Sequence, residues 1–172
     1  AAMVAGLTIG KKGYEDTGEI MKHIQTLALT QKTGFVVDID RDSEAYNKVF
    51  DCFKLPKSTD EEKKIRSAAI QEATKFAALV PMQVARNAYE LMGIIADVAK
   101  MGNRNAVTDA CVAMISARSA VLAALMNVRI NLGSLKDRTF VEQLQSEADE
   151  LERKACIKEK ELLDAINQDL RI

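Results

Sequence analysis

The sequence has little of what punctuates a chain. Its 172 residues include 8 Gly, 2 Pro and no Trp, and aromatics make up 5%. The glycines stand at 6, 10, 13, 18, 34, 93, 102 and 133, and the prolines at 56 and 81. Three stretches, 57–80, 103–132 and 134–172, therefore run without either breaker. A β-sandwich or barrel needs a turn about every 8–12 residues, so both are excluded. Disorder is excluded by the 48% apolar content. What remains is an all-α fold, a bundle of long antiparallel helices. The length suits one domain, 1–172, with a continuous core.

Catalytic side chains are equally scarce. His23 is the only histidine, so a Ser–His or Cys–His nucleophile has one possible base. It follows Glu19 by four residues, which is not the ExxH spacing of di-metal bundles, so a ferritin-like metal protein is set aside. Cys52, Cys111 and Cys156 are odd in number and widely spaced, fitting reduced thiols in a cytoplasmic protein rather than a disulfide frame or zinc site. No Walker loop and no GxGxxG occurs. The 24 basic residues are balanced by 25 acidic ones, so nucleic acid is not expected as a partner. Any chemistry must run on carboxylates, amides and lysines, with no metal.

The pattern along the chain divides readily. AAMVAGLTIG (1–10) lacks the basic region and cleavage signature of a signal peptide and reads as the tail of a helix. Residues 19–53 carry helical spacing through Ile20, Ile24, Leu27, Phe35, Val49 and Phe53, with Gly34 a candidate kink. KLPKSTDEE (54–62) is a loop that ends in a capping box, either Ser58 with Glu61 or Thr59 with Glu62. The next helix sets Ile65, Ala69, Phe76 and Val80 on one side, and Pro81 either kinks it or starts another that runs to Lys100. MGNRN (101–105) is a second loop, with Gly102 as C-cap and Asn or Thr108 as N-cap.

From Ala110 to Val128 only Arg118 is charged. This approaches membrane-spanning length, but Asp109, Asn127, Arg129 and Asn131 crowd it, and a buried central helix rather than a membrane span is expected. One small bundle has too little material to cover every face of such a helix, so it is also expected to pack against a second subunit. The last helix, 138–170, instead carries a single stripe: Val141, Leu144, Ala148, Leu151, Ala155, Lys158, Leu162 and Ala165.

Three polar constellations remain. Asp38, Asp42 and Tyr46 fall at steps of four on one helical face that Val49 and Phe53 continue. A carboxylate in such a stripe is desolvated and suited to acid–base work, although an exposed acidic first turn has the same spacing. Asp109 opens the apolar helix, as a cap or as a catalytic carboxylate. Asn127 and Asn131 lie one turn apart, where two carboxamides either pair with each other or bind the edge of a heterocycle.

Together these segments resemble the cyclodeaminase/cyclohydrolase family of folate enzymes. The likeness runs through MVAGLTIGKKGYED (3–16), DRDSEAYNKV (40–49), FKLPKSTDEEK (53–63), ALVPMQVA (78–85), GNRNAVTDA (102–110) and NVRINLGSLKDRTF (127–140). The family carries a Pro-Gly-Gly-Gly-Ser-type loop before the segment that begins here at Ala1. The resemblance implies an all-helical subunit that forms a homodimer or higher homo-oligomer. It implies conversion of 5-formimidoyltetrahydrofolate to 5,10-methenyltetrahydrofolate with loss of ammonia, or alternatively hydrolysis of the methenyl compound to 10-formyltetrahydrofolate. The tetrahydrofolate derivative is then a substrate, with no permanently bound cofactor, and a formiminotransferase is a possible partner. On that reading Asp42, then Asp109, are the acid–base candidates. Asn103, Asn127 and Asn131 would orient the pterin or one-carbon unit, and Tyr46 would stack on or bond to the ring. Lys11 and Lys12 would meet the glutamate carboxylates, or else stand as a solvated basic pair. A non-catalytic dimeric helical scaffold is the remaining alternative.

Overall fold

The computed structural model describes residues 1–170. Five α-helices and two 3-10 turns follow in order: α1 (Ala2–Gly6), a turn at Glu15–Thr17, α2 (Gly18–Cys52), α3 (Asp60–Met101), a turn at Arg104–Ala106, α4 (Val107–Leu132) and α5 (Arg138–Leu170). No strand occurs among the described residues, as the absence of breakers requires.

Short connections fold the long helices back on their neighbours. Arg66 donates to the Phe53 carbonyl at 3.2 Å, Asn131 reaches Ala77, and Arg129 reaches Asp149, so α2/α3, α3/α4 and α4/α5 are antiparallel pairs. Lys75 pairs with Asp137 and Arg86 with Glu147, which sets α3 and α5 parallel. The start of α3 is fixed by Thr59 rather than Ser58. The Thr59 hydroxyl accepts from the Glu62 amide at 3.2 Å, and the Glu62 carboxylate accepts from the Thr59 amide at 3.0 Å.

Alanines and methionines form the centre of the bundle. Ala78, Ala85 and Ala88 on α3 meet Ala110 and Ala117 on α4 and Ala148 and Ala155 on α5. Small side chains let helix axes approach closely, and the fully buried Met21, Met82, Met92 and Met114 fill the irregular gaps left between them. On α5 the stripe holds as far as Leu162, but Ile166 takes the buried position instead of Ala165. On α3, Val80 is buried, whereas Ile65 and Phe76 face outward.

Neither Gly34 nor Pro81 ends its helix. α3 continues through Pro81, which lacks the N–H that would bond the Ala77 carbonyl four residues back. The Asn131 side chain of α4 donates to that carbonyl at 3.1 Å, and also to the Asn127 carbonyl of its own helix at 2.9 Å. A side chain from a neighbouring helix thus supplies the missing donor.

The apolar helix begins at Val107 and reaches Leu132. Its length and composition alone, from Arg104 to Leu132, would suffice for a membrane span. One side packs on α3 and α5, yet Met126 and Ile130 on the opposite side are 69% and 76% exposed, with Val112 and Ile115 also outward. α2 likewise turns Val36, Val37, Ile39, Tyr46 and Phe50 outward.

Candidate functional site

On α2 the buried carboxylate is Asp38, not Asp42. Asp38 is 6% exposed and accepts a 2.7 Å charged hydrogen bond from Arg41, while Ala45 two turns on packs against Ala77 and Val80 of α3. Asp42 lies between these contacts yet faces outward, because the side of α2 that meets α3 is offset from the 38–42–46 line. The desolvation expected of Asp42 is therefore absent in the single chain. Tyr46 is exposed beside it and stacks on Phe50, with ring centroids 6.4 Å apart. Asp42 thus stands in a surface of Ile39, Tyr46 and Phe50, water-exposed but bordered by apolar groups.

A second group forms where the N-terminal segment meets the α3–α4 loop. Asn103 is 7% exposed, and its side-chain oxygen accepts from the Lys11 ammonium at 2.6 Å and from the Asn105 amide at 3.1 Å. Its Nδ2 donates to the Leu7 carbonyl at 3.3 Å, and its backbone N–H donates to the buried Thr8 hydroxyl at 2.8 Å. The Arg104 amide donates to the Tyr14 hydroxyl at 2.9 Å. Lys11 and Asn103 are thus brought together as a joint that ties two loops, while Lys12 is exposed nearby. Thr8 and Tyr14, which carried no sequence signal of their own, complete the joint. Gly102 makes it possible, since a Cβ there would lie 2.5 Å from the Val98 carbonyl oxygen.

Asp109 sits exposed in the first turn of α4, where its charge suits the helix dipole, but its side chain caps no amide. Asn103 caps only the short turn before it, and Thr108 caps nothing. Asn127 is exposed, and it meets Asn131 through its backbone carbonyl rather than through paired carboxamides. Asp42 and Asp109 share no hydrogen bond with any other candidate among the described residues. No three His, Cys, Asp or Glu side chains gather at metal-binding distance among those residues. All three cysteines are free and half-buried, and burial pushes the Cys111 thiol above its ordinary value.

A cavity of about 780 Å³ opens between α3, α5 and the α3–α4 loop. Its lining includes Gly93, Ala96 and Leu162, with three cations and three carboxylates among the other residues. None of the eight residues singled out from sequence lines it. Sequence carried one signal for it: Lys158 is the single charge in the apolar stripe of α5.

Comparison with known proteins gives a consistent result. The sequence profile described as formiminotransferase-cyclodeaminase matches residues 1–150. A methenyltetrahydrofolate cyclohydrolase from Methylorubrum extorquens is 40% identical over 154 residues, 87% of this chain and 72% of that protein. A formimidoyltransferase-cyclodeaminase from Mus musculus is 29% identical over 83% of this chain, which spans only 26% of the mouse protein. The crystal structure of a formiminotetrahydrofolate cyclodeaminase from Thermotoga maritima superposes with a TM-score of 0.78 at 29% identity, covering 96% of this chain and 80% of that one. The helical order and these likenesses agree: the chain belongs to the formiminotransferase-cyclodeaminase family.

Proposed function

We propose that the protein is a folate one-carbon enzyme that hydrolyses 5,10-methenyltetrahydrofolate to 10-formyltetrahydrofolate. The observation that carries this reading is the 40% identity to a cyclohydrolase over most of both chains. Water adds to the methenyl carbon and loses a proton to a carboxylate, giving a tetrahedral carbon between N5 and N10. The hydroxyl on that carbon then gives up its proton as the C=O forms and the bond to N5 breaks, N5 takes up a proton, and the formyl group stays on N10. Asp42 is our first choice for the carboxylate and Asp109 the second. A partner surface that covers the apolar surroundings of Asp42 would shield the reacting carbon from bulk water.

The likeness to the Thermotoga maritima cyclodeaminase favours a second reaction through the same kind of tetrahedral carbon. There N10 attacks the formimidoyl carbon, a proton reaches the amine, and ammonia leaves. In that case a formiminotransferase that supplies the substrate is the natural partner.

We also propose that the outward apolar faces of α2 and α4 are covered by a second copy of the chain. Ile39, Phe50, Met126 and Ile130 are each more than half exposed, which is costly to leave in water for a patch of this extent. The purified protein, offered 5-formimidoyl- and 5,10-methenyltetrahydrofolate in parallel, should release ammonia from the first or hydrolyse the second above its spontaneous rate. Turnover of neither would end the folate reading. Near-normal turnover by both Asp42→Asn and Asp109→Asn would end the carboxylate mechanism. Sedimentation should show a dimer that Ile39→Glu or Ile130→Glu weakens; a monomeric wild-type chain would exclude the interface.

A further inference from the structure

Several ion pairs join residues three apart on one helix, and one of them is unlike the rest. Lys22–Glu19, Lys54–Asp51, Lys63–Asp60 and Arg153–Glu150 have both partners open to water. In Arg41–Asp38 the guanidinium side chain is 45% exposed but the carboxylate is buried. No other carboxylate is buried to this degree among the described residues. Taking a carboxylate out of water is costly, and a helical ion pair at this spacing gains little in return. Stability alone does not account for the inward acid.

The pairing is also selective. Glu44 stands at the same spacing on the other side of Arg41 and is exposed, yet takes no hydrogen bond from it. Arg41 reaches Asp38 instead, its Nη1 donating to Oδ1 at 2.7 Å. Its Nε and Nη2 make no hydrogen bond among the described residues. The next cations along α2 are occupied: Lys48 lies 4.7 Å from the centre of the Phe76 ring, and Lys54 pairs with Asp51 above Phe50. Arg41 is thus an anchored guanidinium with donors to spare.

Asp42 completes the geometry. It lies one turn beyond Asp38, and residues four apart on a helix have Cβ atoms about 5–6 Å apart. A head group pinned on Asp38 is therefore held about one turn from the Asp42 carboxylate. Two hydrogen bonds of about 2.9 Å, end to end, cover the same distance. An oxygen atom between the two can give a proton to Asp42 and accept from Arg41.

We propose that Arg41 is a catalytic residue of the Asp42 site and that Asp38 is the positioning residue that holds it there; this rests on the cyclohydrolase reading with Asp42 as its carboxylate. As water adds to the methenyl carbon, one of its protons passes to Asp42 and its oxygen stays on the carbon as a hydroxyl. When that hydroxyl loses its proton, the C=O forms, the electron pair of the bond to N5 moves to N5, and N5 takes up a proton. The oxygen carries excess negative charge as its proton leaves, and the Arg41 N–H groups donate to it. Arg41 itself gains and loses no proton.

Steady-state hydrolysis of 5,10-methenyltetrahydrofolate by the full chain tests both roles. Arg41→Ala should lower kcat about 100-fold with KM within threefold, as loss of an oxyanion donor does. Asp38→Asn, with Arg41 present but untethered, should lower kcat about tenfold, again with KM little changed. Guanidinium chloride below denaturing concentration should raise kcat of Arg41→Ala at least threefold and leave Asp42→Asn as it is. Glu44→Gln should stay within twofold of wild type. Melting curves confirm folding, and the double variant Asp38→Asn/Arg41→Ala, which leaves no charge unpaired, replaces any single variant that melts early and should match Arg41→Ala. A folded Arg41→Ala with kcat within threefold of wild type, a loss confined to KM, or no response to guanidinium would overturn the catalytic role. An unchanged kcat in folded Asp38→Asn would overturn the positioning role. A wild-type chain that turns over neither this compound nor the formimidoyl one ends the folate reading itself, and one that turns over the formimidoyl compound alone ends only the oxygen contact of Arg41.

Discussion

Replacing Asn131 by Ala isolates the repair of the proline in α3. The substitution removes the donor to the Ala77 carbonyl, which Pro81 leaves without its helical N–H. Ala77 is 8% exposed, so water has little access to replace the bond. An unpaired buried carbonyl costs roughly 1–3 kcal/mol, and about 1.5 kcal/mol is expected for this half-buried contact. For a chain of this size that lowers Tm by roughly 3–6 °C. The decisive comparison uses a second background. Pro81→Ala restores an N–H four residues after Ala77, so Asn131→Ala should then cost under about 0.5 kcal/mol, a coupling of about 1 kcal/mol in the double-mutant cycle. Urea unfolding of the four chains at one protein concentration measures it. Equal cost in both backgrounds would refute the repair and return Asn131 to other roles, including contact with substrate. Asn127→Ala is the companion case: its side chain is exposed, so stability should move by less than about 0.5 kcal/mol, and a fall in turnover there would point to substrate.

Asn103→Ala opens the joint to Lys11, Asn105 and Leu7 and should cost about 2 kcal/mol, with faster amide exchange over residues 7–17; unchanged exchange would show that the joint carries no load. Gly102→Ala forces a Cβ against the Val98 carbonyl and should cost about 1–3 kcal/mol in thermal unfolding; a neutral result would mean that the loop yields freely. Acid should weaken the bundle in a defined window. The Arg86 guanidinium holds the Glu147 carboxyl below its ordinary value, Lys75 does so for Asp137, and Arg153 with Lys154 brings Glu150 down to about 2. A lowered folded-state pKa gives stability that is complete above the unfolded value and is lost as pH falls through the folded one. Tm should therefore decline from about pH 5 toward pH 2, and Glu147→Gln should decline less steeply; an identical slope would exclude the α3–α5 ion pair as a source.

The periodic residues were readable because helical spacing is local. The α5 stripe from Leu144 to Leu162, the Thr59/Glu62 alternative of the capping box and the Gly102 cap each depend on neighbours within a turn or two. Asp42 marks where this reasoning stops. Steps of four place Asp38, Asp42 and Tyr46 on one line of α2, but spacing does not give the angle at which α3 meets that line. α3 packs on Ala45, and Asp38 is buried while Asp42 and Tyr46 stay outside. Lys11 and Asn103 were each visible as polar residues beside loops, yet their bond spans 92 positions, which no local pattern reports.

Sequence by itself determined the helical class, because breakers, caps and apolar periods act over a few residues, and its motifs carried the likeness to the family. Only the tertiary structure decided which polar groups are covered, that Asn131 answers Pro81, and that Lys158 faces a cavity. Those outcomes depend on the docking angle and axial offset of whole helices. Many distant side chains set these together, and no single stretch of the chain encodes them.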